Sequence, residues 1–169
     1  MLKSLLLATV LLLTFAGCTQ QTTMTKKADM KPRMMFQTVD EKDAVLVQTG
    51  NEKYYCHICG MHLVKFYKTS YMAEDGTRKY QYCSIHCLAD HLNHDVELKN
   101  PQVIDVSSLK PISVLQAYYV VGSDVRGTMS RVSKYAFGTY EAAQNFQKQH
   151  GGKIMDFNGA LQEAQKDFN

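Results

Sequence analysis

The sequence predicts an α+β domain. It should comprise a small, mostly antiparallel sheet, two or three helices, and a hairpin-and-helix metal knuckle carrying Cys-x2-Cys and Cys-x3-Cys. Three observations predict this. Short strand-like runs are interspersed with longer segments of helical periodicity. An Asp-Gly pair within residues 74–77 signals a tight hairpin turn. Two cysteine pairs, Cys56/Cys59 and Cys83/Cys87, lie at opposite ends of that hairpin, so its open end brings them together.

Each element follows in turn. Residues 44–48 (Ala-Val-Leu-Val-Gln) read as a strand. The cluster Cys56-His-Ile-Cys59-Gly-Met61 falls on a turn, where Gly60 permits a tight backbone. Residues 66–73 read as a strand, and residues 78–82 return as its partner and deliver Cys83. Ser84 stands as the N-cap of a helix over residues 85–94. At about 100° per residue, Ile85, Leu88, Ala89 and Leu92 share one face of it, and Cys87, Asp90, His91 and His94 the other. Residues 103–106, 117–121 and 135–137 read as strands, with a Gly-rich loop over 122–129. Thr139 caps a helix over residues 140–150, which Gly151 and Gly152 terminate. Residues 153–157 form a last strand, and Asn158 caps a final helix ending near Lys166.

The chain divides into three regions. Residues 1–17 read as a signal peptide: Lys3 supplies a positive start, and the apolar run that follows is too short for a membrane-spanning helix of about 20 residues. The run ends in Phe15-Ala-Gly-Cys18, which resembles a bacterial lipobox and marks Cys18 for lipidation. Thr19 follows rather than aspartate, which points to the outer membrane with the domain facing the periplasm. Residues 18–38 comprise the lipidated cysteine and a polar tether carrying Met24, Met30, Met34 and Met35. Residues 39–169 form one domain of ordinary size. The net charge of the full chain is +3, and removal of residues 1–17 leaves +2. That balance points to no nucleic-acid partner.

The chemistry rests on sulfur. Cys56, Cys59, Cys83 and Cys87 can supply four thiolates, which suit Cu(I) and Zn(II). Met61, directly after Cys59 and Gly60, and Met129, at the end of the Gly-rich loop, are candidate thioether ligands for Cu(I). His91 lies one turn from Cys87 and could join them. A closed four-thiolate site would hold structural Zn(II), whereas a delivery site needs few, replaceable ligands. Both can coexist, with copper at Met61, Met129 and a nearby histidine. Two disulfides are a further reading in an oxidising compartment. A thiol-disulfide oxidoreductase using Cys56 and Cys59 is disfavoured, because Gly60 and Met61 stand where an activating helix would begin. No nucleotide loop, catalytic triad or paired-carboxylate pattern indicates an enzyme.

Several blocks together resemble the NosL family of copper-binding lipoproteins accessory to nitrous-oxide reductase. They are Cys18, Cys56-x-x-Cys59-Gly60-Met61, Tyr118-Tyr-Val-Val-Gly122-Ser-Asp-Val-Arg-Gly-Thr-Met129, and residues 136–146 with Gly151-Gly152. The resemblance implies an outer-membrane lipoprotein that binds Cu(I) and supplies it for the copper–sulfur centre of nitrous-oxide reductase. It also implies partnership with an ABC-transporter-type assembly complex. Cys83-x3-Cys87 departs from that family pattern and is similar to the heavy-metal-binding TRASH and YHS modules.

Overall fold

The computed structural model describes residues 35–168. The expected signal peptide, Cys18 and the tether before Met35 lie outside the described residues.

Strands β1 (Tyr71–Glu74) and β2 (Lys79–Tyr82) form the expected antiparallel hairpin. Asp75 makes its turn, its carboxylate accepting from the amides of Thr77 and Arg78 at 2.7 and 2.9 Å. Helix α1 (Ile85–Leu92) follows directly. Strands β3 (Lys99–Ile104) and β4 (Pro111–Ser113) extend the sheet in the order β2-β1-β3-β4. A second antiparallel sheet has the order β6-β5-β7, from β5 (Tyr118–Val121), β6 (Lys134–Phe137) and β7 (Lys153–Met155). Helix α2 (Tyr140–His150) connects β6 to β7, and α3 (Phe157–Gln165) follows β7.

Side-chain alternation assigns each sheet face to a core. Tyr71, Ala73, Tyr82 and Val103 enter a central core, whereas Met72 and Ile104 face Val39, Val64 and Tyr67 behind the first sheet. In the second sheet Tyr119, Val121 and Ala136 enter the central core. Val120, Tyr135 and Phe137 face α2 through Ala143 and Phe146. Helices α1 and α3 pack together, adding Ile85, Leu88 and Ala89 from one and Ala160 and Ala164 from the other to the central core. The sheets are also joined by polar contacts. The Val106 amide donates to the Ala136 carbonyl at 2.9 Å, and Gly138 donates to the buried Asp105 carboxylate at 3.1 Å.

The structure corrects several expected elements. Residues 44–48 form no strand. Side chains take the place of a partner strand: Val45 donates to the Tyr67 hydroxyl at 2.9 Å, Val47 to the Gln81 side-chain oxygen at 3.1 Å, and Gln81 returns a bond to the Val45 carbonyl. Residues 66–69 belong to a 3-10 segment, Leu63–Thr69, so the expected strand begins only at Tyr71. Asp156, not Asn158, caps α3, accepting from the Gly159 amide at 2.8 Å. Helix α2 has the expected bounds, with Thr139 accepting from the Ala142 amide.

Candidate metal centre

The hairpin's open end brings the two cysteine pairs together as expected. A two-stranded knuckle holds the first pair: Cys56 donates to the Met61 carbonyl at 2.8 Å, Gly60 donates to the Cys56 carbonyl at 2.9 Å, and His57 donates to Gln81 of β2 at 3.0 Å. Gly60 turns the chain at φ +71°, in the left-handed region that glycine enters without penalty. Cys83 leaves the end of β2, and Cys87 lies on the first turn of α1. All four Sγ atoms lie within 4.8 Å of one another. Cys59 and Cys83 are 3.5 Å apart, and Cys83 and Cys87 3.8 Å. Four ligands at about 2.3 Å around a tetrahedral Zn(II) stand about 3.8 Å apart, close to the Cys59–Cys83 and Cys83–Cys87 separations. All four thiols are free in this structure.

The electrostatics of the thiols are divided. Cys56 is held far below the ordinary thiol value by hydrogen bonds from Cys59, Cys83 and Cys87, and by the Cys59 amide. Hydrogen bonding with Cys56 is the first cause driving Cys83 and Cys87 far above that value. At Cys59, Cys56 acts upward, while the Cys83 and Cys87 thiols and the Met61 amide act downward. The net value is lowered to about 7. The metal-free cluster therefore keeps protons on Cys83 and Cys87, and a cation bound by four thiolates must displace them.

His91 stands apart from the thiol cluster. It is buried at 8% exposure, its Nδ1 is 2.7 Å from the Tyr82 hydroxyl, and its ring packs on His57 and Tyr80. The two faces expected of α1 are not apolar and polar, because α3 covers one side and the knuckle the other. Cys87 and His91 are buried with Leu88 and Ala89, while His94 is exposed beside Asp90.

The Gly-rich loop after β5 forms a second sulfur-bearing site. Gly122 donates to the Ser133 carbonyl at 2.8 Å, and Asp124 pairs with His150 at 2.9 Å. Gly127 passes so close to Ser133 that a Cβ would stand 2.9 Å from its Cα. The loop ends at Met129, at φ +58° and 43% exposed. Met61 and Met129 line a common cavity of about 720 Å³, with Phe66, Thr128, Arg126 and Arg131 among its walls. Among the described residues, no histidine lines it. Thr69 links this cavity to the cysteines. Its hydroxyl donates to the Cys83 carbonyl at 2.8 Å and shares a 2.8 Å hydrogen bond with the Thr128 hydroxyl.

One contributor, Thr69, escapes sequence reasoning, and another, Met35, is named by the sequence only as one methionine of the tether. Thr69 carries no motif and sits in a 3-10 segment. Met35 lies 94 residues before Met129, yet lines the same cavity. Its only sequence signal is the cluster of methionines ahead of the domain.

Fold and geometry together define a small α+β domain with a closed four-thiol centre beside an open thioether-lined cavity. The sequence profile of the NosL family matches residues 46–164, and the chain belongs to that family. Its fold is that of the crystal structure of the copper chaperone NosL from Shewanella denitrificans. The two are 24% identical with a TM-score of 0.52, over 66% of this chain and 92% of that one. No curated protein shows significant sequence similarity to the chain.

Proposed function

We propose that the chain is a copper chaperone, not an enzyme. It carries Cu(I) as cargo at Met61 and Met129, and delivers it for assembly of the copper–sulfur centre of nitrous-oxide reductase. Membership of the NosL family and the fold shared with a named copper chaperone support this reading. In the same reading Cys18 bears the lipid that anchors the domain at the outer membrane, facing the periplasm. An ABC-transporter-type assembly complex receives or relays the copper.

The observation that carries the proposal is Met129. A non-glycine residue in the left-handed region costs about 1–2 kcal/mol. A buried methionine could offset that through packing, but Met129 is 43% exposed. Met129 lines, at conformational cost, a cavity that Met61 also lines. Thioethers are soft ligands that bind Cu(I) and exchange readily, and among the described residues no carboxylate lines the cavity to favour a hard cation.

The four cysteines take the structural part. Their separations fit tetrahedral Zn(II), and Cys56, Cys83 and Cys87 are buried, which suits a closed centre. The same burial argues against redox catalysis at Cys56, which at 3% exposure offers no approach to a substrate disulfide. Competition of the zinc-loaded chain with a chromogenic Cu(I) chelator tests the assignment. Retention of Cu(I) that is lost in the Met61→Leu/Met129→Leu double variant, with zinc content unchanged, is the expected result. Equal retention by that variant would move copper to the cysteines.

A further inference from the structure

The segment at the head of the described residues is strapped across the domain by contacts that converge on the copper cavity. The Met35 carbonyl accepts from the Thr38 amide at 3.0 Å, closing a turn. Phe36 meets Tyr135 edge-on at 5.2 Å and Phe146 at 5.7 Å, and the Lys68 ammonium lies 4.4 Å from its ring centre. Gln37 is buried, its carbonyl accepting from the Lys68 amide at 3.1 Å. Its side-chain amide donates to the Arg126 carbonyl, which the Tyr135 hydroxyl also reaches, at 2.6 Å. Arg126 belongs to the loop that ends at Met129, so strap and loop share one scaffold.

This scaffold brings a third methionine into the cavity. Met35 is 46% exposed and lines it with Met61 and Met129. Phe36 and Gln37 bear the packing and hydrogen bonding of the strap, so Met35 itself is not needed to anchor it. Among the described residues, the soft side chains in the cavity wall are then three methionines, with no cysteine, histidine or carboxylate. Three neutral soft ligands satisfy Cu(I), which accepts low coordination, and bind Zn(II) poorly. The side chains of Arg126 and Arg131 in the wall add positive charge, which repels a divalent ion more than a monovalent one.

Resting on the copper reading above, we infer that Met35 is a third thioether ligand, so that the cargo site is a Met35–Met61–Met129 centre selective for Cu(I). The site is then closed partly by the segment that leads to the tether, and cargo retention depends on how that segment is seated. Straightening the strap withdraws one ligand of three and loosens the ion without disturbing the zinc centre.

The test uses the full chain, in detergent and zinc-loaded, with Cu(I) alone as probe. Chelator competition is compared for the wild type and Met35→Leu, and the methionine methyl resonances are followed by NMR during titration. Met-to-Leu exchange conserves volume, so Met35→Leu should melt as the wild type does. It should bind Cu(I) at least about tenfold more weakly, since even residues that only orient a metal ligand cost 10–100-fold when removed. The Met35, Met61 and Met129 methyl signals should move together and saturate at the same copper ratio. Unchanged affinity in Met35→Leu, or a Met35 signal that stays still while the other two move, overturns the inference and leaves the copper reading standing. If none of the three signals moves, the copper reading fails as well.

Discussion

Thr69 and Thr128 share a 2.8 Å hydrogen bond that joins the cysteine centre to the methionine cavity. Thr69 also holds the carbonyl of Cys83, and Thr128 precedes Met129. One buried hydroxyl thus sets the loop that carries a proposed cargo ligand against the backbone of a cysteine in the four-thiol cluster. In the proposed reading, a metal that fixes Cys83 would also fix the seat of the loop that carries Met129.

Replacing Thr69 with valine keeps the shape and removes that link. Leaving buried polar groups unsatisfied costs about 1–3 kcal/mol, so the melting temperature should fall by several degrees. Zinc content should stay at the wild-type level while Cu(I) affinity drops. Thr69→Ser, which keeps the hydroxyl, should restore the affinity. A valine variant that binds copper normally would show that the link does not position the loop.

Loss of a thiol acts at the other centre. Structural zinc contributes about 10–16 kcal/mol of apparent binding free energy in small zinc domains. Cys83 is fully buried and lies within 4 Å of two other thiols. Cys83→Ser should abolish stoichiometric zinc by elemental analysis and broaden or remove the thermal transition. Met129 variants should leave both intact. A Cys83→Ser protein with full zinc and a wild-type melt would refute the four-thiol centre.

The metal-free, reduced domain should show a stability maximum on the alkaline side of neutrality. Cys59 is lowered from 9.0 to about 7, so its contribution is present above the unfolded value and is lost as pH falls from about 9 towards 7. Cys83 and Cys87 are raised, so their contribution is present below that value and is lost as pH rises past it. His91 is lowered from 6.5, first by burial and then by His57, so the fold favours its neutral ring and loses further stability in acid. Denaturant midpoints measured across that range should peak near the ordinary thiol value. A midpoint that falls steadily from pH 7 to pH 9 would contradict this balance.

Legibility in the sequence followed how local each signal was. Helix α2 was readable to its ends because Thr139 and Gly151 mark them within the segment itself. The hairpin and its two cysteine pairs were readable because Asp75 and Gly76 set the turn and the spacing does the rest. Residues 44–48 misled because their short run of valines and leucine is that of a strand, while the Val45 and Val47 amides are satisfied by Tyr67 and Gln81 far along the chain. The split of the strands into two sheets was hidden for the same reason. Val106 and Asp105 meet the end of β6 through contacts that no local pattern announces. Met61 and Met129 could be nominated from their motifs, but only the folded loop shows that they share a cavity with Met35.

Met129 itself separates function from stability most sharply. At φ +58° its backbone is strained for a residue of its type, whereas asparagine tolerates that region. Relief of the strain is worth up to about 1 kcal/mol, and the exposed thioether contributes little packing in return. Met129→Asn should therefore melt at or above the wild-type temperature while losing Cu(I) to the chelator. The opposite signs matter, because a residue kept for the fold would lower the melt when replaced, and a residue kept for neither would change nothing. A lowered melt with copper affinity intact would assign Met129 to packing and take it out of the cargo site.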